Sequence, residues 1–150
     1  MLTARPRESM MKPLLLLLLG ADAARAALRG ALDGVGGVGA PHASCAPACG
    51  AKSYTVAGWA VDPLLDGGRT PVNVSILIDG EVVVTGLADH PRPDLVKAGV
   101  APDPKHGFTI ALPASVAAKL AATPHAPLKL SARVGGAVLP YAHTQICRCL

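Results

Sequence analysis

Val72-Asn73-Val74-Ser75-Ile76-Leu77-Ile78-Asp79-Gly80-Glu81-Val82-Val83-Val84-Thr85-Gly86-Leu87 is the stretch that decides how this chain folds. Two β-rich runs flank an Asp-Gly pair, and a two-residue Asp-Gly loop signals a hairpin because both turn positions tolerate positive φ. The pattern predicts Ile78 opposite Glu81, Ile76 opposite Val83, Val74 opposite Thr85 and Val72 opposite Leu87 on a buried face. The outer face pairs Leu77 with Val82, Ser75 with Val84 and Asn73 with Gly86. Asn73-Val74-Ser75 is also a glycosylation sequon, and this register sets Asn73 on the outer face, open to modification in a eukaryotic secretory route.

Further strands follow outward from the hairpin. Residues 55–61 carry Val56, Trp59 and Val61 and stop at Asp62-Pro63. Phe108, Ile110 and Leu112 alternate with Thr109 and Ala111 up to Pro113. Leu128, Leu130, Ala132 and Val134 alternate with Lys129, Ser131 and Arg133; Gly135-Gly136 turns the chain into residues 137–141, and a last extended piece spans 144–146. Two short helices fit between strands: residues 94–98, with Asp94 as N-cap and Gly99 beyond the end, and residues 114–122. Short antiparallel strands at this spacing predict an all-β chain, a single immunoglobulin-like β-sandwich with one or two short helices in its connections.

The N-terminal part reads differently. Six leucines at 14–19 follow Lys12 and precede Ala21-Asp22-Ala23, the basic, apolar and small-residue order of a secretory signal peptide, assigned to residues 1–24. The apolar run is well short of the roughly 18 residues that span a bilayer, so no transmembrane segment is expected. Residues 25–44, with glycine at 30, 34, 36, 37 and 39, read as a flexible Gly/Ala/Pro-rich tether, since such a stretch loses much backbone entropy on ordering. The β-sandwich domain is then 45–150, with cysteines at both of its ends.

Those cysteines, Cys45, Cys49, Cys147 and Cys149, form a CxxxC and a CxC pair. Neither has the CxxC spacing usual for zinc, and a secretory leader delivers the chain to an oxidising compartment, so disulfides are the expected state and no metal is assigned. Four cysteines allow three pairings. A bridge between Cys147 and Cys149 would close a strained ring, which favours links between the two clusters.

The formal charge of +4 comes from isolated lysines and arginines, with no basic stripe for nucleic acid. Aromatics are few, so aliphatic side chains must build the core; Trp59 reads as a core anchor before a ligand platform. Arg92 reads as locally paired, and His106 as a histidine bonded to backbone rather than a general base. Asp62 and Asp66 lack the dense oxygen spacing of a calcium loop.

Gly58-Trp59-Ala60-Val61-Asp62-Pro63, the hairpin ending Ile78-Asp79-Gly80, Arg92-Pro93-Asp94-Leu95 and His106-Gly107-Phe108, in that order, resemble a small β-sandwich module of bacterial secreted and glycan-related multidomain proteins and of some unicellular algal proteins. The resemblance covers roughly residues 54–134 and implies the fold, with Trp59, Asp62, Arg92, Asp94 and His106 as ligand or structural positions. It implies no particular reaction or ligand, though the company of such modules suggests carbohydrate. Only Tyr54 and Tyr141 are then free for stacking on a sugar. The resulting expectation is a secreted, extracellular, non-catalytic module for binding, adhesion or cell-surface structure, with a glycan or protein partner and no cofactor or catalytic residue. The competing expectation is an enzyme: a hydrolase using His106 with Asp94 or Asp103, or a thiol oxidoreductase using Cys147 and Cys149.

Overall fold

The computed structural model describes residues 27–35, 38–39, 46–48, 54–122, 127–140 and 144–148. The leader expected at 1–24 lies outside them, as do Cys45, Cys49, Cys149 and Tyr141. In chain order the strands are β1 (Arg29–Val35), β2 (Val38–Gly39), β3 (Ala46–Ala48), β4 (Thr55–Val61), β5 (Asn73–Ile78), β6 (Glu81–Leu87), β7 (His90–Pro91), β8 (Lys105–Ala111), β9 (Leu128–Val134), β10 (Ala137–Val138) and β11 (Thr144–Arg148). Helix α1 (Pro93–Lys97) precedes β8, and α2 (Ala114–Ala122) follows it. Among the described residues the strands form two sheets: the first in the order β2-β1-β4-β8-β7, the second in the order β3-β11-β9-β5-β6, with β10 paired to β9. The pairs are antiparallel except β3 with β11, which run parallel with Pro47 opposite Cys147.

One core joins the sheets. Val35, Val56, Ala60, Phe108 and Ile110 from the first share a buried cluster with Val74, Ile76, Ile78, Leu128, Leu130, Ala132 and Ile146 from the second. The alternation in β9, with Leu128, Leu130 and Ala132 buried between exposed Lys129 and half-buried Ser131, puts its apolar face on that core. Each buried aliphatic side chain contributes roughly 1.5–3 kcal/mol by leaving water. Among the described residues the buried aromatics are Phe108 and Tyr54; Tyr54 is 7% exposed and so is no free sugar platform. Trp59 departs from the expected core position. In β4 the residues facing the core are Val56, Gly58 and Ala60, and the period of two sends Trp59 to the opposite face.

The hairpin forms where its turn residues require it, with φ of 51° at Asp79 and 89° at Gly80. Ile78 faces Glu81 and Leu77 faces Val82 as expected, but the register then shifts by one. Ile76 meets Val84, Val74 meets Gly86 and Asn73 meets Leu87, because a β-bulge inserts Val83. The shift brings the Ser75 and Thr85 hydroxyls to 3.0 Å of each other. Asp79 does more than turn the chain: its N–H donates to the Lys129 carbonyl at 2.8 Å, and its Oδ1 accepts the Lys129 N–H at 2.9 Å. Its Oδ2 pairs with Lys119 of α2 at 2.8 Å. The Lys119 bond first, and the Lys129 N–H after it, hold this carboxyl below its ordinary pKa of 3.8.

Part of the stretch expected to be a tether is sheet. Residues 29–35 pair with β4 from Arg29 opposite Val61 to Val35 opposite Val56, with a bulge at Asp33. Glycine there serves packing: a Cβ on Gly30 would come within 2.6 Å of the Leu139 side chain and 2.7 Å of the Trp59 carbonyl. The ordering entropy is offset by pairing with a neighbouring strand, which the local composition does not reveal. Gly58 is tighter still, since its Cβ would lie 2.3 Å from the Ala31 carbonyl oxygen and 2.6 Å from Phe108 Cζ.

That contact predicts a contrast between two alanine substitutions. Gly58→Ala forces backbone against backbone and lowers stability by about 2 kcal/mol or more. Gly136→Ala, with nothing near its Cβ, changes it by less than about 0.5 kcal/mol. Urea unfolding of both variants measures the difference, and equal midpoints would mean that β1 does not press on Gly58 in solution.

Candidate functional site

The motifs that stand apart in sequence meet in one row across the first sheet. Trp59 is the register partner of Ala31 on β1 and of Gly107 on β8, and Gly107 is in turn the partner of His90 on β7. The short β7 leads into Arg92, whose backbone N–H donates to the Pro104 carbonyl at 2.6 Å. This bond sets the arginine beside β8, and its Cγ lies only 2.7 Å from where a Cβ on Gly107 would be. Gly107 therefore leaves room for the aliphatic stem of Arg92.

Each of the three nitrogens of the Arg92 head makes a hydrogen bond. Nε donates to Asp94 Oδ1 at 2.8 Å and Nη2 to Asp94 Oδ2 at 2.7 Å, a bidentate fork, while Nη1 donates to Asp33 Oδ2. Asp33 is the bulged residue of β1, and a bulge re-aims the side chain it carries. The Asp94 bonds, then Asp33, raise the guanidinium pKa against the opposing effect of partial burial. The Arg92 bond in turn holds the Asp94 carboxyl below 3.8. Asp94 is thus not the N-cap expected of it. Arg92 occupies that position without a side-chain cap bond, Pro93 opens the helix, and the Asp94 carboxylate is spent on Arg92.

His106 sits at a second bulge, where β7 pairs His90 with Gly107 and Pro91 with Lys105. It is completely buried, with neither ring nitrogen in a hydrogen bond among the described residues. Asp103 Oδ1 lies 3.2 Å from its Nε2, close enough for an ion pair but not aligned as a hydrogen bond. The same oxygen already accepts the Lys105 N–H at 2.9 Å. Of the two acids expected beside His106, Asp103 is its neighbour, and Asp94 belongs to Arg92. The backbone bond expected of the imidazole is not made among the described residues.

Trp59 is half-buried on the outer face, packed on a second small cluster of Val61, Leu95 and Ala101 with Val100. Leu95 comes from α1, so the helix held by Arg92 covers part of the tryptophan's face. Asp62 lies apart, its Oδ1 accepting the Leu64 N–H at 3.0 Å in the turn after β4. Among the described residues no three His, Cys, Asp or Glu side chains gather as a metal site. Asn73 is on the second sheet, exposed at the first position of β5. Asp33 was not legible from the sequence, since a lone acid in a glycine-rich stretch carries no local signal of a partner 59 residues away.

Two substitutions test this arrangement. Because folding lowers the Asp94 pKa, the stabilisation it brings is present above 3.8 and is lost as pH falls through the folded-state value. A carbon-detected NMR titration is expected to place its midpoint below 3.8, and Arg92→Gln to move it back up; a midpoint indifferent to the substitution would show the fork unmade. His106→Leu removes a buried imidazole that makes no hydrogen bond among the described residues, so thermal unfolding is expected to show stability unchanged within about 1 kcal/mol, or increased. A marked loss would mean that the imidazole has bonding partners in solution.

No family model matches the chain. Neither the curated proteins nor the solved structures contain a match to it.

Proposed function

We propose that this chain is a secreted, non-catalytic β-sandwich module of immunoglobulin-like kind, used for binding or as a structural element at the cell surface. The observation that carries this reading is the use made of the chemically distinctive side chains. Arg92 is spent on Asp94 and Asp33, His106 is closed to solvent on the core side, and Trp59 is partly covered by α1 and the chain after it. A general base needs contact with its substrate, and a fully buried imidazole offers none. The same residues that the resemblance singles out are thereby read as the joints of the fold. The carbohydrate version is the weaker form of the proposal, because Tyr54 is in the core.

The disulfide part of the proposal draws support from the backbone. Cys45 and Cys49 flank β3 in sequence, β3 runs beside β11, and β11 contains Cys147 and is followed by Cys149. Adjacent strands lie about 4.8 Å apart in a sheet, so this pairing brings the two cysteine-bearing segments side by side, with Pro47 as the register partner of Cys147 itself. Cross-links between the clusters would close rings of about a hundred residues, worth on the order of 4–5 kcal/mol for the first in the loop-entropy model.

A non-reducing peptide map of the exported protein is the test. The expected result is a mature N-terminus near residue 25 and peptides in which Cys45 or Cys49 is joined to Cys147 or Cys149. Reduced cysteines in a chain that retains its initiator methionine would overturn the secretory, stapled reading.

A further inference from the structure

Beyond the Arg92 cluster, the first sheet borders a cleft of about 450 Å3, within the size range of small-molecule pockets. Arg29 and Val61, register partners at the ends of β1 and β4, line it, together with Pro63 and Gly67 from the loop after β4 and Val100 and Pro102 from the loop after α1. Arg29 is the one charged residue of that lining. Its Nη1 donates to the Val100 carbonyl at 3.1 Å, which ties the arginine to the opposite loop, and no carboxylate pairs with it among the described residues. One of five guanidinium N–H donors is thereby used.

Every other residue of the lining is Val, Pro, Gly or Ala, and the Arg69 head lies outside it beside Gly67. Concave sites lined mainly by apolar residues, with a few polar groups to orient the ligand, are where small apolar ligands are received. An unneutralised arginine there complements a single negative charge, and its planar fork suits a carboxylate.

We infer that the cleft binds a small monocarboxylate with an apolar tail, the carboxylate on Arg29 and the tail against Val61, Pro63, Val100 and Pro102. The inference rests on the non-catalytic binding reading and names a ligand class for it.

Amide NMR titration of the full chain with hexanoate tests this. Saturable shifts are expected at Gly67, Gly99, Val100 and Ala101, with hexanamide binding about tenfold more weakly or worse for want of the charge-assisted bond. Arg29→Gln is expected to weaken hexanoate by a similar factor and to leave hexanamide unchanged. The inference is overturned if hexanamide equals hexanoate, if inorganic phosphate alone reproduces the shifts, or if hexanoate fails to saturate these amides. It is equally overturned if folded Arg29→Gln binds hexanoate as the native chain does. Hexanoate that binds here but is recovered chemically altered would support the site and overturn the non-catalytic reading.

Discussion

Phe108 lies against Gly58 with no space for a methyl group between them, and the Ala31 carbonyl closes the same gap from β1. Much of the first sheet follows from this contact. It brings β1, β4 and β8 close enough for their inward residues to form one face, and that face meets the aliphatic side chains of β5, β9 and β11. With so few aromatics in the chain, close approach replaces bulk: glycine lets the one large ring of β8 sit directly on the backbone of its neighbours.

The outer face of that sheet combines the Arg92 ion pairs with a small apolar cluster at Trp59. Two bulges matter, one at Asp33 and one at His106, each adding a residue that breaks the alternation of its strand. The first sends a carboxylate to Arg92. The second accompanies a histidine turned entirely into the interior. Between them Arg92 joins β1 to α1, and α1 carries Leu95 to the cluster at Trp59. Partly exposed ion pairs are individually weak, so the consequence of this network is positional: it holds the helix and the loop after it where they border the cleft containing Arg29.

The readable parts of the sequence were those governed by neighbours a few residues apart. The strand at 55–61, the helix at 114–122 and the strand at 128–134 agree with the observed elements end to end, because each rests on a period of two or on helix-forming composition bounded by proline or glycine. The Asp79-Gly80 turn was equally legible, but the bulge at Val83 was not, and beyond it each cross-strand pair of the hairpin differs from the simple register. Strand β1 was hidden for a similar reason. Its glycines look entropically unsuited to order until Leu139 and the Trp59 carbonyl are seen pressing on Gly30.

The candidate site divides along the same line. That Trp59, Arg92, Asp94 and His106 are distinctive was determined by the sequence alone, since their residue types and motif order stand out from an aliphatic chain. Which way each side chain faces was decided by tertiary structure: Trp59 outward, Tyr54 and His106 inward, Asp94 onto Arg92, and Arg92 onto an aspartate 59 residues earlier. The physical reason is that facing depends on register and bulges, and these are set by contacts between strands far apart in the chain. Local propensity names the elements, while the packing of one strand on another determines which of their side chains meet.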